Sequence, residues 1–189
     1  METNENVLKY SFVAKQSNPV LLEFRKKTNR LFGVLLLVCA AIFGLFAILC
    51  ATSNNPSLWV CLIFGGFVAV CVGCAIYFFL TAKPTEKDEN KIMCYEFYEY
   101  SVSINRENLI KNTNKNLVKC LYSDYKDRQY ISKLFEFNDR FEIRVFTGTY
   151  NGVPQYKKFV LPKDVIGEEK MGEFKEFLKL NIANNYITR

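Results

Sequence analysis

Two apolar runs dominate the pattern of the chain. Residues 31–51, LFGVLLLVCAAIFGLFAILCA, and residues 58–80, LWVCLIFGGFVAVCVGCAIYFFL, carry no charged side chain over 21 and 23 positions. At about 1.5 Å per residue, each can cross a hydrocarbon layer of about 30 Å. The pair predicts a transmembrane helical hairpin over residues 31–80. A core hairpin of a soluble protein rarely runs so long without a charge, and the first run begins too deep and extends too far for a secretory signal. The connection TSNNPS, with Pro56 and two asparagines, predicts a tight turn between antiparallel neighbours.

A polar linker follows over residues 81–90, and from residue 91 the pattern changes to aromatic and β-branched alternation. Strands are predicted over residues 92–104, 116–125, 130–137, 140–146 and 156–162, with hairpin turns at Asn138-Asp139 and Asn151-Gly152. The asparagine-rich residues 105–116 read as a solvated loop. Near the end, Met171, Phe174, Phe177, Leu178 and Ile182 fall on one helical face, with Glu168 and Glu169 at its positive end. Ahead of the first span, residues 7–14 read as a strand, and Asn18 and Pro19 open a juxtamembrane helix that reaches Arg30. A lone strand is not stable, so this one is predicted to join the C-terminal sheet. The resulting expectation is an α+β membrane protein. Residues 1–30 form an N-terminal strand and helix, residues 31–80 a hairpin, and residues 91–189 an antiparallel β-sheet domain capped by one helix.

Charge orients this layout. Arg25, Lys26, Lys27 and Arg30 precede the first span, Lys83 and Lys87 follow the second, and the connection between has no basic residue. The positive-inside bias then predicts a cell-membrane protein with both termini cytoplasmic. The net charge of +6 divides as +3 before the first span and +3 after the second, too dilute for a nucleic-acid binder. Arg25, Lys26, Lys27 and Arg30, together with Lys111, Lys115 and Lys119, are candidate contacts for anionic lipid headgroups.

Candidate chemistry is sparse. Cys71-Val72-Gly73-Cys74 is a CxxC, but it lies within an apolar span with no cation to favour a thiolate, and the chain has no histidine to complete a mixed zinc site. Cysteine reads better here as a small packing residue. Cys61, Gly65, Ala69 and Gly73 recur every fourth residue on the second span, with Ala40 and Gly44 on the first, as a helix-packing ridge. Seven cysteines, two of them (Cys94 and Cys120) in the cytoplasmic part, do not suggest a disulfide framework. No nucleophile elbow, phosphate-cradling loop or paired-acid signature is present, and Asp124 and Asp127 read as turn residues. No catalytic residue, metal or cofactor is expected.

The layout resembles the YcxB-like family of small bacterial membrane proteins. The resemblance runs over the N-terminal strand and helix, the two-span hairpin, YEFYEYSVSI, LYSDYKD, FVLPKDVI with its Pro162-Lys163, and EFKEFLK in the closing helix. It implies a C-terminal domain of pleckstrin-homology-like fold and brings no catalytic residues. The expected function is a membrane-anchored binding or scaffold module whose cytoplasmic domain binds a protein partner or an anionic membrane surface. The alternative is an accessory subunit of a larger membrane transporter, recognised through the helix ridge, or a homo-oligomer. A conduit is disfavoured because the spans offer no ionisable lining beyond cysteine and Tyr77.

Overall fold

Leu8–Lys15 (β1) pairs antiparallel with Lys91–Tyr98 (β2), from Leu8 opposite Tyr98 to Lys15 opposite Ile92. The N-terminal strand thus enters the sheet formed by the far side of the chain. The structure is a computed structural model that describes residues 6–53, 58–81, 89–124 and 128–189. The turn expected at 54–57, most of the linker, Lys83, Lys87 and Asp127 lie outside the described residues. The described residues divide into two units, one within Met1–Leu21 and Thr85–Arg189, the other within Leu22–Pro84.

The sheet unit continues through Ser101–Asn108 (β3), Thr113–Leu121 (β4), Tyr130–Glu136 (β5), Arg140–Tyr150 (β6) and Val153–Pro162 (β7), neighbours in chain order. Glu168–Ile182 forms a helix, and Tyr186–Thr188 (β8) then pairs with β5. The β6–β7 turn places Asn151 at φ 49° and Gly152 at φ 77°, the left-handed pair that a two-residue hairpin turn requires.

The core sits between the sheet and the closing helix. Phe174 is fully buried, and its ring meets Phe12 and Phe97 at 4.9 Å, Tyr10 at 5.2 Å and Phe141 at 5.8 Å, mostly edge to face. Leu178 and Ile182 continue the buried face predicted for this helix, and Met171 and Phe177 pack beside it. Cys94 and Cys120 are buried in the sheet; burial, with Glu107 and Glu96 nearby, pushes the Cys94 thiol up to about 11, and burial alone pushes Cys120 to about 12. Both thiols are held protonated and unreactive.

Two expectations are corrected here. The sheet is mixed rather than antiparallel, because β5 pairs in parallel with β8 over Leu134–Glu136 and touches β4 in parallel at Leu121 and Tyr130. A three-residue strand entered through a 3-10 turn, Ala183–Asn185, leaves no alternation to read. Residues 105–116 are mostly strand: Asn105, Arg106, Glu107 and Asn108 pair with Asn116, Lys115, Asn114 and Thr113. Their side chains are polar because this end of the ladder lies outside the core, while their backbones pair across the two strands.

The second unit is built on two helices, α1 (Pro19–Ala51) and α2 (Leu58–Leu80), each long and apolar enough to cross a membrane. Asn18 caps α1 as expected, accepting from the Val20 amide at 3.0 Å, and the helix then runs unbroken past Arg30 into the apolar segment. The helices pack antiparallel. Gly33, Leu36, Ala40, Phe43, Ala47 and Cys50 face Cys61, Phe64, Val68, Cys71, Ala75 and Phe78, alternating three- and four-residue steps on each side. That 3.5-residue repeat is the seam of a left-handed helix pair.

Candidate functional site

The solvent face of β5, β6 and β7 follows from register. Ile131, Leu134, Ile143, Val145, Phe159 and Leu161 point into the core, so the residues between them point outward. Pairing aligns these outward residues in rows across the three strands. Tyr130, Phe146 and Tyr156 form an aromatic row, with ring centroids 5.1 Å apart for the first pair and 5.8 Å for the second. Lys133, Arg144 and Lys158 form the next row, all exposed, each opposite the last. Phe135 and Glu142 follow in the third.

Three cations side by side on adjacent strands repel one another, and cross-strand like charges destabilise a sheet. Two contacts offset this repulsion. Glu142, 5% exposed, accepts from Arg140 Nε at 3.1 Å and pairs with Lys158. Arg144 Cζ lies over the Tyr156 ring, 4.3 Å from its centroid, a cation–π contact. Phe135, Glu142, Arg144, Tyr156, Lys157 and Lys158 line a cleft of about 290 Å³ here. A guanidinium beside two ammonium groups and an aromatic ledge suits carboxylates on an extended, partly apolar segment.

A second, shallower cleft of about 610 Å³ lies between the end of β7 and the closing helix. Its two lysines are already engaged: Lys163 and Lys175 reach the buried Glu136 at 2.7 and 2.6 Å, and the Tyr186 hydroxyl donates to the other carboxylate oxygen. Burial alone would raise the Glu136 carboxyl, but these hydrogen bonds outweigh it and hold it at about 2. This cluster ties β5, the segment after β7, the closing helix and β8 together, and its role is structural.

The predicted ridge divides. Ala40 is buried in the helix seam, Gly44 lies 3.9 Å from Val68 by its would-be Cβ, and Cys61 approaches the Ala47 carbonyl. Gly65, Ala69 and Gly73 are exposed on the outer side of α2, and a Cβ at Gly65 or Gly73 would meet nothing within 4 Å. A four-residue stripe rotates by about 40° per step on a helix of 3.6 residues per turn, so it leaves the seam after Cys61. The close approach falls instead at Gly33, where a Cβ would stand 2.8 Å from the Phe79 ring. Cys71 sits in the seam and Cys74 faces out, so the CxxC spans two surfaces. Among the described residues no group of three or more His, Cys, Asp or Glu is placed to hold a metal.

Of the candidate lipid contacts, Lys26, Lys27, Arg30, Lys111, Lys115 and Lys119 are exposed. Arg25 is not free to face lipid: it donates to the Thr81 carbonyl at 3.2 Å, capping the C-terminal end of α2. The cationic row was missed in the sequence because its members lie on three strands. Their shared feature, a basic residue at the polar position of YISKLFEF, RFEIRVF and YKKFVLP, becomes visible only once the turns set the register. Compared with family models, curated proteins and solved structures, the chain has no match.

Proposed function

We propose that the chain is a membrane-anchored, non-enzymatic binding module that holds an acidic segment of a protein partner on the β5–β6–β7 face. The observation that carries this reading is the row Lys133, Arg144 and Lys158, three cations placed against each other on adjacent strands, with Glu142 paired to Lys158. Such a row is costly to the free protein and is relieved by an anionic partner. Anchoring rests on two helices whose apolar windows are only 6% buried, since so much exposed apolar surface needs lipid or protein around it. With the positive-inside bias, both termini and the sheet unit are cytoplasmic and the anchor lies in the cell membrane. The YcxB-like resemblance and its pleckstrin-homology-like fold belong to the same reading, supported by the chain-order sheet and its closing helix.

Purification of the full chain in native nanodiscs, wild type beside Arg144→Glu, tests the reading. A partner retained by the wild type and lost from the variant supports it. Identical eluates refute it.

A second reading has its own support. Gly65, Ala69 and Gly73 present a smooth outer strip on α2, which suits a helix of a larger membrane protein and would make this chain an accessory subunit. A partner lost from Gly65→Ile but kept by Arg144→Glu would favour it.

A further inference from the structure

The turn between β3 and β4 carries two large apolar side chains where hairpins ordinarily carry polar residues or glycine. Leu109 is 58% exposed and Ile110 74%. The turn is held in one shape: Asn108 Oδ1 accepts from the amides of Ile110 and Lys111, both at 3.1 Å, and Asn112 takes φ 45°. Among the described residues, neither side chain belongs to the hydrophobic core of the sheet unit.

Two backbone hydrogen bonds fix their place in the sheet. The Leu109 amide donates to the Asn90 carbonyl at 2.9 Å, and the Gln16 amide donates to the Lys91 carbonyl at 2.8 Å. The turn therefore lies at the end of the sheet where the chain leaves toward α1 and returns from α2. Lys111 follows the apolar pair, and Arg106 and Lys115 stand opposite each other just behind it. Among the described residues, the acidic groups at this end are Glu89, which is exposed, and Glu107, which accepts from Asn114 at 2.8 Å. The β6–β7 tip is a contrast, with Tyr150 and Val153 exposed around Asn151-Gly152 but no basic residue in the turn and no chain connection to the helices.

We infer that Leu109 and Ile110 insert into the interfacial layer of the bilayer, with Arg106, Lys111 and Lys115 against anionic headgroups. The inference rests on the membrane reading of α1 and α2, and the natural Trp59 at the start of α2 tests that reading separately. The full chain is reconstituted in bilayers of phosphatidylcholine and phosphatidylglycerol with brominated acyl chains, which quench tryptophan on contact. Wild-type protein reports on Trp59. Ile110→Trp and Tyr150→Trp, each in a Trp59→Phe background, report on the two hairpin tips. The expected result is loss of emission for Trp59 and Ile110→Trp and little change for Tyr150→Trp. Quenching of Trp59 without quenching of Ile110→Trp overturns the inference and leaves the membrane reading intact. Absence of quenching at both overturns the two together. Equal quenching of Ile110→Trp with phosphatidylcholine alone overturns the part assigned to the basic residues.

Discussion

Asn18 and Asp164, 146 residues apart, are joined by hydrogen bonds of 2.9 and 3.2 Å from the Asn18 amide to the carboxylate. The same Asn18 side chain accepts from the Val20 amide to cap α1. One residue therefore starts the long helix and ties its first turn to the segment after β7. Replacing Asn18 with Ala is expected to cost about 1 kcal/mol, as loss of an N-cap does, and Asp164→Ala less. The two losses should fall short of additivity, as for residues in contact. Equilibrium unfolding of the two single variants and the double variant measures this.

Phe12 on β1 lies against Phe174 of the closing helix, so the N-terminal strand contributes core and not only an edge. Phe12→Ala is expected to destabilise the sheet unit by about 3–5 kcal/mol. Deletion of residues 1–16 should do at least as much. Melting of the truncated chain followed by near-ultraviolet circular dichroism checks it, and an unchanged transition would refute it.

Glu136 makes stability depend on pH with a definite sign. Its folded value of about 2 lies below the unfolded value, so the stabilisation is complete above the unfolded value and is lost as pH falls toward 2. Glu136→Gln should flatten that acid limb and cost on the order of 2 kcal/mol at neutral pH by leaving Lys163 and Lys175 without their carboxylate. Denaturation of both proteins between the unfolded and folded values tests the slope.

Gly33 admits the Phe79 ring into the helix seam, and any side chain there displaces it. Gly33→Ile is expected to destabilise the helix pair by about 1–3 kcal/mol. Gly65→Ile and Gly73→Ile should leave the pair unchanged, because among the described residues nothing lies within 4 Å of a Cβ at either position. Unfolding in mild detergent distinguishes the seam from the outer strip.

How much of this was legible depended on the range of the interaction. The two long apolar helices, the Asn18 cap, the Asn151-Gly152 turn and the face of Phe174, Leu178 and Ile182 rest on local patterns, and the structure shows each of them. The joining of β1 to the sheet followed from the instability of a lone strand. The parallel β8 carried no local signal, and the polar ends of β3 and β4 carried a misleading one, since paired asparagines read as a loop until their partners are known. The ridge coincides with the helix seam only at Ala40, Gly44 and Cys61, because a four-residue step does not track a 3.5-residue seam. Lys133, Arg144 and Lys158 stayed hidden because only strand register brings them together.

The central claim is tested most directly by what co-purifies with the full chain. Native-nanodisc purification of the wild type, the Lys133→Glu/Arg144→Glu double variant and Gly65→Ile, with mass and stoichiometry of each eluate, is that measurement. The account predicts a partner in fixed ratio with the wild type and with Gly65→Ile, released by added salt and absent from the double variant. Eluates of the same composition from the wild type and the double variant would contradict it.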